Sequence, residues 1–226
     1  MADPLCYLLD VDNTLIDNDA VTADLKLHLI NAFGEVCERR YWEIFEQLRQ
    51  ELGYADYLGA LQRYRIERPR DTNLLEMSLY LTNYPFERRV YPGAMALIRH
   101  LRTRGDVAIL SDGDVVFQPR KVERSGLWDA VDGRVLIYIH KEQMLDDVER
   151  RYPARGYVMV DDKLRILTAM KAIWGERLTT VFVRQGHYAL DPAITGQYPP
   201  ADITIERIAD LITHPIANQT VAELPI

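Results

Sequence analysis

With 226 residues, 48% of them hydrophobic and 27% charged, the chain is long enough for one domain with a sizeable core, or one domain carrying an inserted subdomain. A formal net charge of −7 argues against nucleic acid or an anionic membrane as the main partner, because both reward positive surfaces. The two cysteines, Cys6 and Cys37, stand in no Cys-x-x-Cys or Cys/His pattern, so neither a zinc site nor a disulfide framework is indicated.

The N-terminal apolar run Leu5-Cys6-Tyr7-Leu8-Leu9 has the length of a buried parallel strand and stops at Asp10-Val11-Asp12-Asn13-Thr14. No basic segment precedes it and Asp10 and Asp12 interrupt it, so no secretory signal is expected. No run reaches membrane-spanning length, and a cytoplasmic location is the expectation. In an extended chain Asp10 and Asp12 would project on the same side. Two adjacent anions at the end of a buried strand repel each other and lose solvation, which normally calls for a cation or a reaction. The plainer alternative is a strand ending in a polar turn.

Beyond Leu15 the periodicity becomes helical. Leu25, Leu29 and Phe33 recur at four-residue spacing, with Thr22 as the expected cap. Tyr41, Ile44, Phe45, Leu48 and Leu52 mark one face of a second helix closed by Gly53. Tyr57, Leu58, Leu61 and Tyr64 mark a third, and Leu74 to Leu81 a fourth that ends before Pro85. Residues 18–88 thus read as a helical insertion, with 1–17 and 89–226 forming the remaining domain. Arg63, Arg65, Arg68 and Arg70 make the insertion locally basic, and a solvated face is expected there.

From Tyr91 strands and helices alternate. Pro92-Gly93 opens a helix stopped by Gly105, and Val107 to Leu110 is a strand ending in Ser111-Asp112-Gly113. A helix over Pro119 to Arg124 follows, then a β-branched strand from Arg134 to Ile139 leading into His140-Lys141. Tyr157 to Val160 ends in Asp161-Asp162. A helix with Leu167, Met170, Ile173 and Trp174 on one face stops at Gly175, and Thr179 to Val183 is the fifth strand. A short element is expected near Ile203 to Ile212. This alternation predicts an α/β fold with a doubly wound parallel sheet.

Four of these five strands end in residues suited to phosphate chemistry, and a parallel sheet gathers such ends along one edge. Asp10-Val11-Asp12-Asn13-Thr14, Ser111 after an apolar strand, Lys141 and the Asp161-Asp162 pair resemble the four motifs of the haloacid dehalogenase superfamily. The similarity covers roughly residues 5 to 185. It implies a Rossmann-like core, and the insertion resembles that superfamily's C1-type cap, a lid over the site.

By that resemblance Asp10 is the nucleophile that forms an aspartyl-phosphate, and Asp12 protonates the leaving oxygen and then activates water. Ser111 and Asp112 contribute to phosphate binding, and Lys141 stabilises charge. Mg²⁺ is implied as cofactor, with Asp10, the Asp12 carbonyl, Asp161 and Asp162 as its ligand set and Asp162 as the expected direct ligand of the pair. Lys163, beside that pair, departs from the usual motif and is expected to weaken metal binding. Lys121 also follows Ser111, but its place in a helix between Arg120 and Glu123 predicts a solvated face.

The superfamily's dehalogenases lack an acid at the Asp12 position, so the resemblance implies a phosphatase acting on a small soluble phosphate ester. The alternatives are a phosphotransferase such as a phosphomutase, a non-catalytic phosphate-binding protein with the same fold, and a receiver-like signalling domain. The long insertion and the Asp-x-Asp spacing argue against the last.

Overall fold

The computed structural model describes residues 5–218. Its centre is a sheet of six strands in the order β3-β2-β1-β4-β5-β6, paired parallel throughout. The strands are β1 (Leu5–Leu9), β2 (Gly105–Asp112), β3 (Val135–Tyr138), β4 (Gly156–Asp161), β5 (Leu178–Val183) and β6 (Ile203–Ile205). Strand β1 is buried along its whole length because both faces of the sheet are covered. Tyr7 and Leu9 pack into one apolar layer, while Cys6 and Leu8 pack into the other. That double burial is why the strand reads as an unbroken apolar run. Each fully buried leucine there contributes about 2 kcal/mol of transfer free energy.

The helices around the sheet include α1 (Asn18–Phe33), α2 (Glu35–Leu52), α3 (Tyr57–Glu67) and α4 (Leu74–Asn83), which follow β1, and α5 (Ala94–Leu101), which leads into β2. Next come α6 (Phe117–Arg124) and α7 (Leu127–Ala130) before β3, α8 (Leu145–Arg151) before β4, and α9 (Leu164–Trp174) before β5. After β5 lie α10 (Gly186–Leu190) and α11 (Pro192–Thr195). The apolar faces of α1 to α4 are continuous with the core on one side of the sheet, with Tyr57 of α3 and Phe117 of α6 in ring contact at 4.8 Å.

Several local expectations are corrected. The cap of α1 is Asp17, whose side chain accepts from the Ala20 N–H, so the helix begins earlier than a Thr22 cap would allow. Gly105 opens β2 instead of stopping α5. A Cβ there would collide with the Leu5 carbonyl across the strand pair, so the residue is required by close approach and not by a helix end. Ile173 is exposed, which leaves Leu167, Met170 and Trp174 as the buried face of α9, and Leu52 is exposed at the end of α2, whose buried face is Tyr41, Ile44, Phe45 and Leu48. The element expected after residue 200 contains a sixth strand, β6, on the edge of the sheet. The arginines of the insertion do form a solvated face, with Arg63 paired to Glu51 and Arg65, Arg68 and Arg70 exposed. No helix among the described residues is long and apolar enough to cross a membrane.

Candidate active site

The carboxyl ends of β1, β2 and β4 lie side by side, because β1 pairs with both β2 and β4. The loop after β1 turns immediately: Leu15 N–H and Ile16 N–H both donate to the Val11 carbonyl. Asn13 takes a left-handed conformation (φ 61°) that suits its short polar side chain. Its Oδ1 accepts from the N–H groups of Asn18 (3.0 Å) and Asp19 (3.1 Å), tying the loop to the first turn of α1.

Lys141 follows β3 and is only 2% exposed. Its Nζ donates to Asp10 Oδ1 at 2.5 Å and to the Leu110 carbonyl at 3.2 Å, and lies 2.7 Å from Asp161 Oδ2. Its main-chain N–H donates to Asp112 Oδ1 (2.7 Å), so the Asp112 side chain fixes the lysine's turn, and Asp112 also lines the cleft beside the site. Desolvation works to lower the Lys141 pKa, but Asp10, Asp161 and Asp112 outweigh it, and the ammonium stays charged well above its ordinary range.

Asp10, Asp161 and Asp162 form a buried group with an oxygen of each within 4.8 Å of the others. Burial pushes the Asp161 carboxyl up to about 6 despite Lys141, and pushes Asp162 well above the usual carboxylate range. Asp161 is committed to the protein, since its Oδ1 also accepts from the Lys163 N–H at 2.8 Å. Asp10 Oδ2 and both oxygens of Asp162 are buried with no hydrogen-bond partner among the described residues. Unpaired buried oxygens cost on the order of 1–3 kcal/mol each, more when charged. An all-oxygen donor set with that deficit fits a hard divalent cation. Lys163 faces the same acids: Asp162, Asp10 and Asp161 raise its pKa against desolvation.

The Asp12 carboxylate lies outside this group. Lys121 Nζ donates to its Oδ1 at 2.6 Å, and Gln118 Nε2 donates to its Oδ2 at 3.3 Å. The same Gln118 amide donates to Ser111 Oγ at 3.0 Å. Lys121 is wholly buried, which overturns the expected solvated face. A charge at that depth is held by its partners, Asp12 and the Asn18 carbonyl oxygen of the side chain (3.0 Å). Its spacing from Gln118, three residues along one helix face just after Ser111, was the signal available in the sequence. Asn13, Asn18 and Gln118 carried no such signal in isolation.

Of these groups Asp12, Asn13, Asn18, Asp112, Asp162 and Lys163 line a cleft of about 930 Å³, together with Thr22, Arg49, Tyr54 and Tyr57 from the helical stretch after β1 and with His140. Two polar bridges cross from the insertion to α10. Asp19 Oδ1 lies 2.6 Å from His187 Nδ1, and Arg49 Nη1 donates to Tyr188 Oη at 2.7 Å.

A family model for haloacid dehalogenase-like hydrolases matches residues 5–173. A solved chain from Burkholderia xenovorans LB400, assigned to the haloacid dehalogenase-like hydrolases, is 67% identical. That match covers 95% of this chain and 99% of the other, with a TM-score of 0.90. Two more distant structures share the fold. The HAD-hydrolase YfnB of Bacillus subtilis, solved with magnesium, is 17% identical (TM-score 0.62; 96% and 100% of the two chains). An L-2-haloacid dehalogenase of Xanthobacter autotrophicus is 19% identical (TM-score 0.62; 94% and 97%). No curated protein matches the chain. The match over residues 5–173 includes the ends of β1 to β4, and the chain belongs to the haloacid dehalogenase-like hydrolases.

Proposed function

We propose that the protein is a magnesium-dependent phosphomonoester hydrolase that acts through an aspartyl-phosphate on Asp10, with a small soluble phosphorylated metabolite as substrate. One observation carries the reading: of three clustered buried carboxylates, Asp10 and Asp161 share the Lys141 ammonium while Asp162 has none, and Asp10 Oδ2 and both Asp162 oxygens have no partner among the described residues. Asp10, Asp162 and the Asp12 main-chain carbonyl would hold the ion, which when bound supplies positive charge opposite nucleophile and phosphate.

In the first step Asp10 attacks phosphorus, the bond from phosphorus to the ester oxygen breaks, and Asp12 gives its proton to that oxygen. In the second, Asp12 takes a proton from water, the water oxygen bonds to phosphorus, and the Asp10–phosphorus bond breaks to free inorganic phosphate and restore the carboxylate. Lys141 orients Asp10 through its bond to Oδ1. Ser111 Oγ, buried between Gln118 and the Asp112 carbonyl, is the hydroxyl suited to a phosphate oxygen. Helices α1 to α4 serve as the cap that closes the cleft and excludes water during the first step.

Asp12 also favours phosphate over halide as the leaving group, since carbon–halogen cleavage requires no proton donor. The test is release of inorganic phosphate from an aryl phosphate with Mg²⁺ and with chelator, in wild type and Asp10→Asn. Turnover that requires both Mg²⁺ and Asp10 supports the proposal. Halide release from a 2-haloacid without phosphatase activity overturns it.

A further inference from the structure

We infer that Lys121, together with Gln118, is the positioning pair for Asp12, fixing which of its oxygens carries the transferred proton; this rests on the phosphatase reading above. The Asp12 side chain has neighbours of two kinds. On one side is the cleft, which the residue lines. On the other stands helix α6, which presents Gln118 and Lys121 three residues apart to its two oxygens. Lys121 Nζ meets Oδ1 at 2.6 Å, a charge-assisted bond, whereas Gln118 meets Oδ2 at 3.3 Å. Oδ1 is therefore the more strongly held oxygen, and Oδ2 is the weakly held one from which a proton can leave. Because Gln118 also bonds Ser111 Oγ at 3.0 Å, the proton-bearing oxygen and the phosphate-facing hydroxyl are held by one amide.

Lys121 does nothing else that would account for burying a charge. Its aliphatic stem lies among core residues and its ammonium faces the rings of Tyr57 and Phe117 at 5.9 and 5.4 Å. Its remaining partner is Asn18, the first residue of α1. Both Asn18 of α1 and Tyr57 of α3 lie on the Lys121 ammonium, so the helices after β1 cover the cation that holds Asp12.

A double-mutant cycle on phosphate release with Mg²⁺ tests this. Lys121→Met is expected to lower kcat about 10²-fold, within the range for loss of general acid–base catalysis, while KM changes less than about threefold. With a nitrophenyl ester, whose departure requires little proton help, a stoichiometric burst of nitrophenol is expected in Lys121→Met because the water-activating step is then the slower one. In the Asp12→Asn background the same substitution should add nothing, since a residue that acts through Asp12 has no second route. Losses that multiply across the cycle, or an unchanged kcat, overturn the inference.

If Lys121→Met does not fold, Gln118→Met carries the same cycle without stranding a charge. Absence of any phosphate release by the wild type overturns the phosphatase reading instead. The positioning role is then decided by a crystal structure of Lys121→Met or Gln118→Met: Asp12 in a new rotamer supports it, and Asp12 unmoved overturns it.

Discussion

Lys141 and Asp10 stand 131 residues apart in the chain and 2.5 Å apart in the fold. The lysine reaches Asp10 from the turn after β3, across the width of β2, and also touches Asp161 from β4. It is the one cation bonded directly to the buried acids among the described residues, so its removal is felt both in stability and in chemistry.

Replacing Lys141 by Met should cost about 3–5 kcal/mol of stability in metal-free protein, the usual consequence of stranding buried charge. The measurement is urea unfolding of both proteins with chelator. Part of the loss should return on adding Mg²⁺, because the ion binds only the folded state. Activity should fall by about 10³-fold or more if Lys141 both orients Asp10 and faces the phosphate.

The acid cluster predicts a pH dependence with a definite sign. Burial raises Asp161 from its ordinary 3.8 to about 6, so the fold prefers the protonated carboxyl. That contribution to metal-free stability is full below the unfolded value and is lost as pH rises through about 6. Metal binding requires the ionised acids, so it should tighten over the same interval. The increase in Tm caused by Mg²⁺ should therefore grow from about pH 5 to about pH 7.5. An Asp161→Asn variant should show a flatter metal-free profile.

The bridges between the insertion and α10 should govern substrate capture more than folding. Exposed pairs such as Asp19 with His187 contribute only about 0.2–1 kcal/mol to stability. Asp19→Ala and Tyr188→Phe should thus leave Tm nearly unchanged, while raising KM about three- to tenfold by loosening the closed cleft. Faster hydrogen exchange in residues 18–83 would report the same loosening.

Gly186 carries a sterner constraint. Its φ is 72°, and a Cβ there would run into the Asn13 side chain. Gly186→Ala should destabilise the protein by about 1–3 kcal/mol through backbone strain and displacement of Asn13. It should also lower activity, because Asn13 anchors the loop that carries Asp10 and Asp12. Urea titration and phosphate release read the two effects separately.

Elements with strong periodicity were legible in the sequence. The central strands, the four helices after β1 and the convergence of Asp10, Ser111, Lys141 and Asp161 on one sheet edge all followed from local patterns and the parallel-sheet rule. What escaped was set by tertiary contact. Lys121 lies in a run of charged residues, and only its packing under α3 turns it into a buried partner for Asp12. Gly105 looked like a helix stop because its actual reason, the nearby Leu5 carbonyl, comes from a strand a hundred residues away. Asp17 displaced Thr22 as a cap because the chain is already turned at that point by its bond to Arg89.

The two ends of the insertion meet. Asp17 N–H donates to the Arg89 carbonyl at 2.8 Å, Tyr91 N–H donates to the Leu15 carbonyl at 2.8 Å, and Ile16 pairs antiparallel with Val90. From the standpoint of the sheet, some seventy residues leave and return through a single doorway. A different helical module could be grafted at that doorway without altering the register of any strand. Descent with exchange of this module would give new substrate preferences on an unchanged chemical apparatus, provided the incoming piece brought its own counterparts of Asn18 and Tyr57 to keep Lys121 covered.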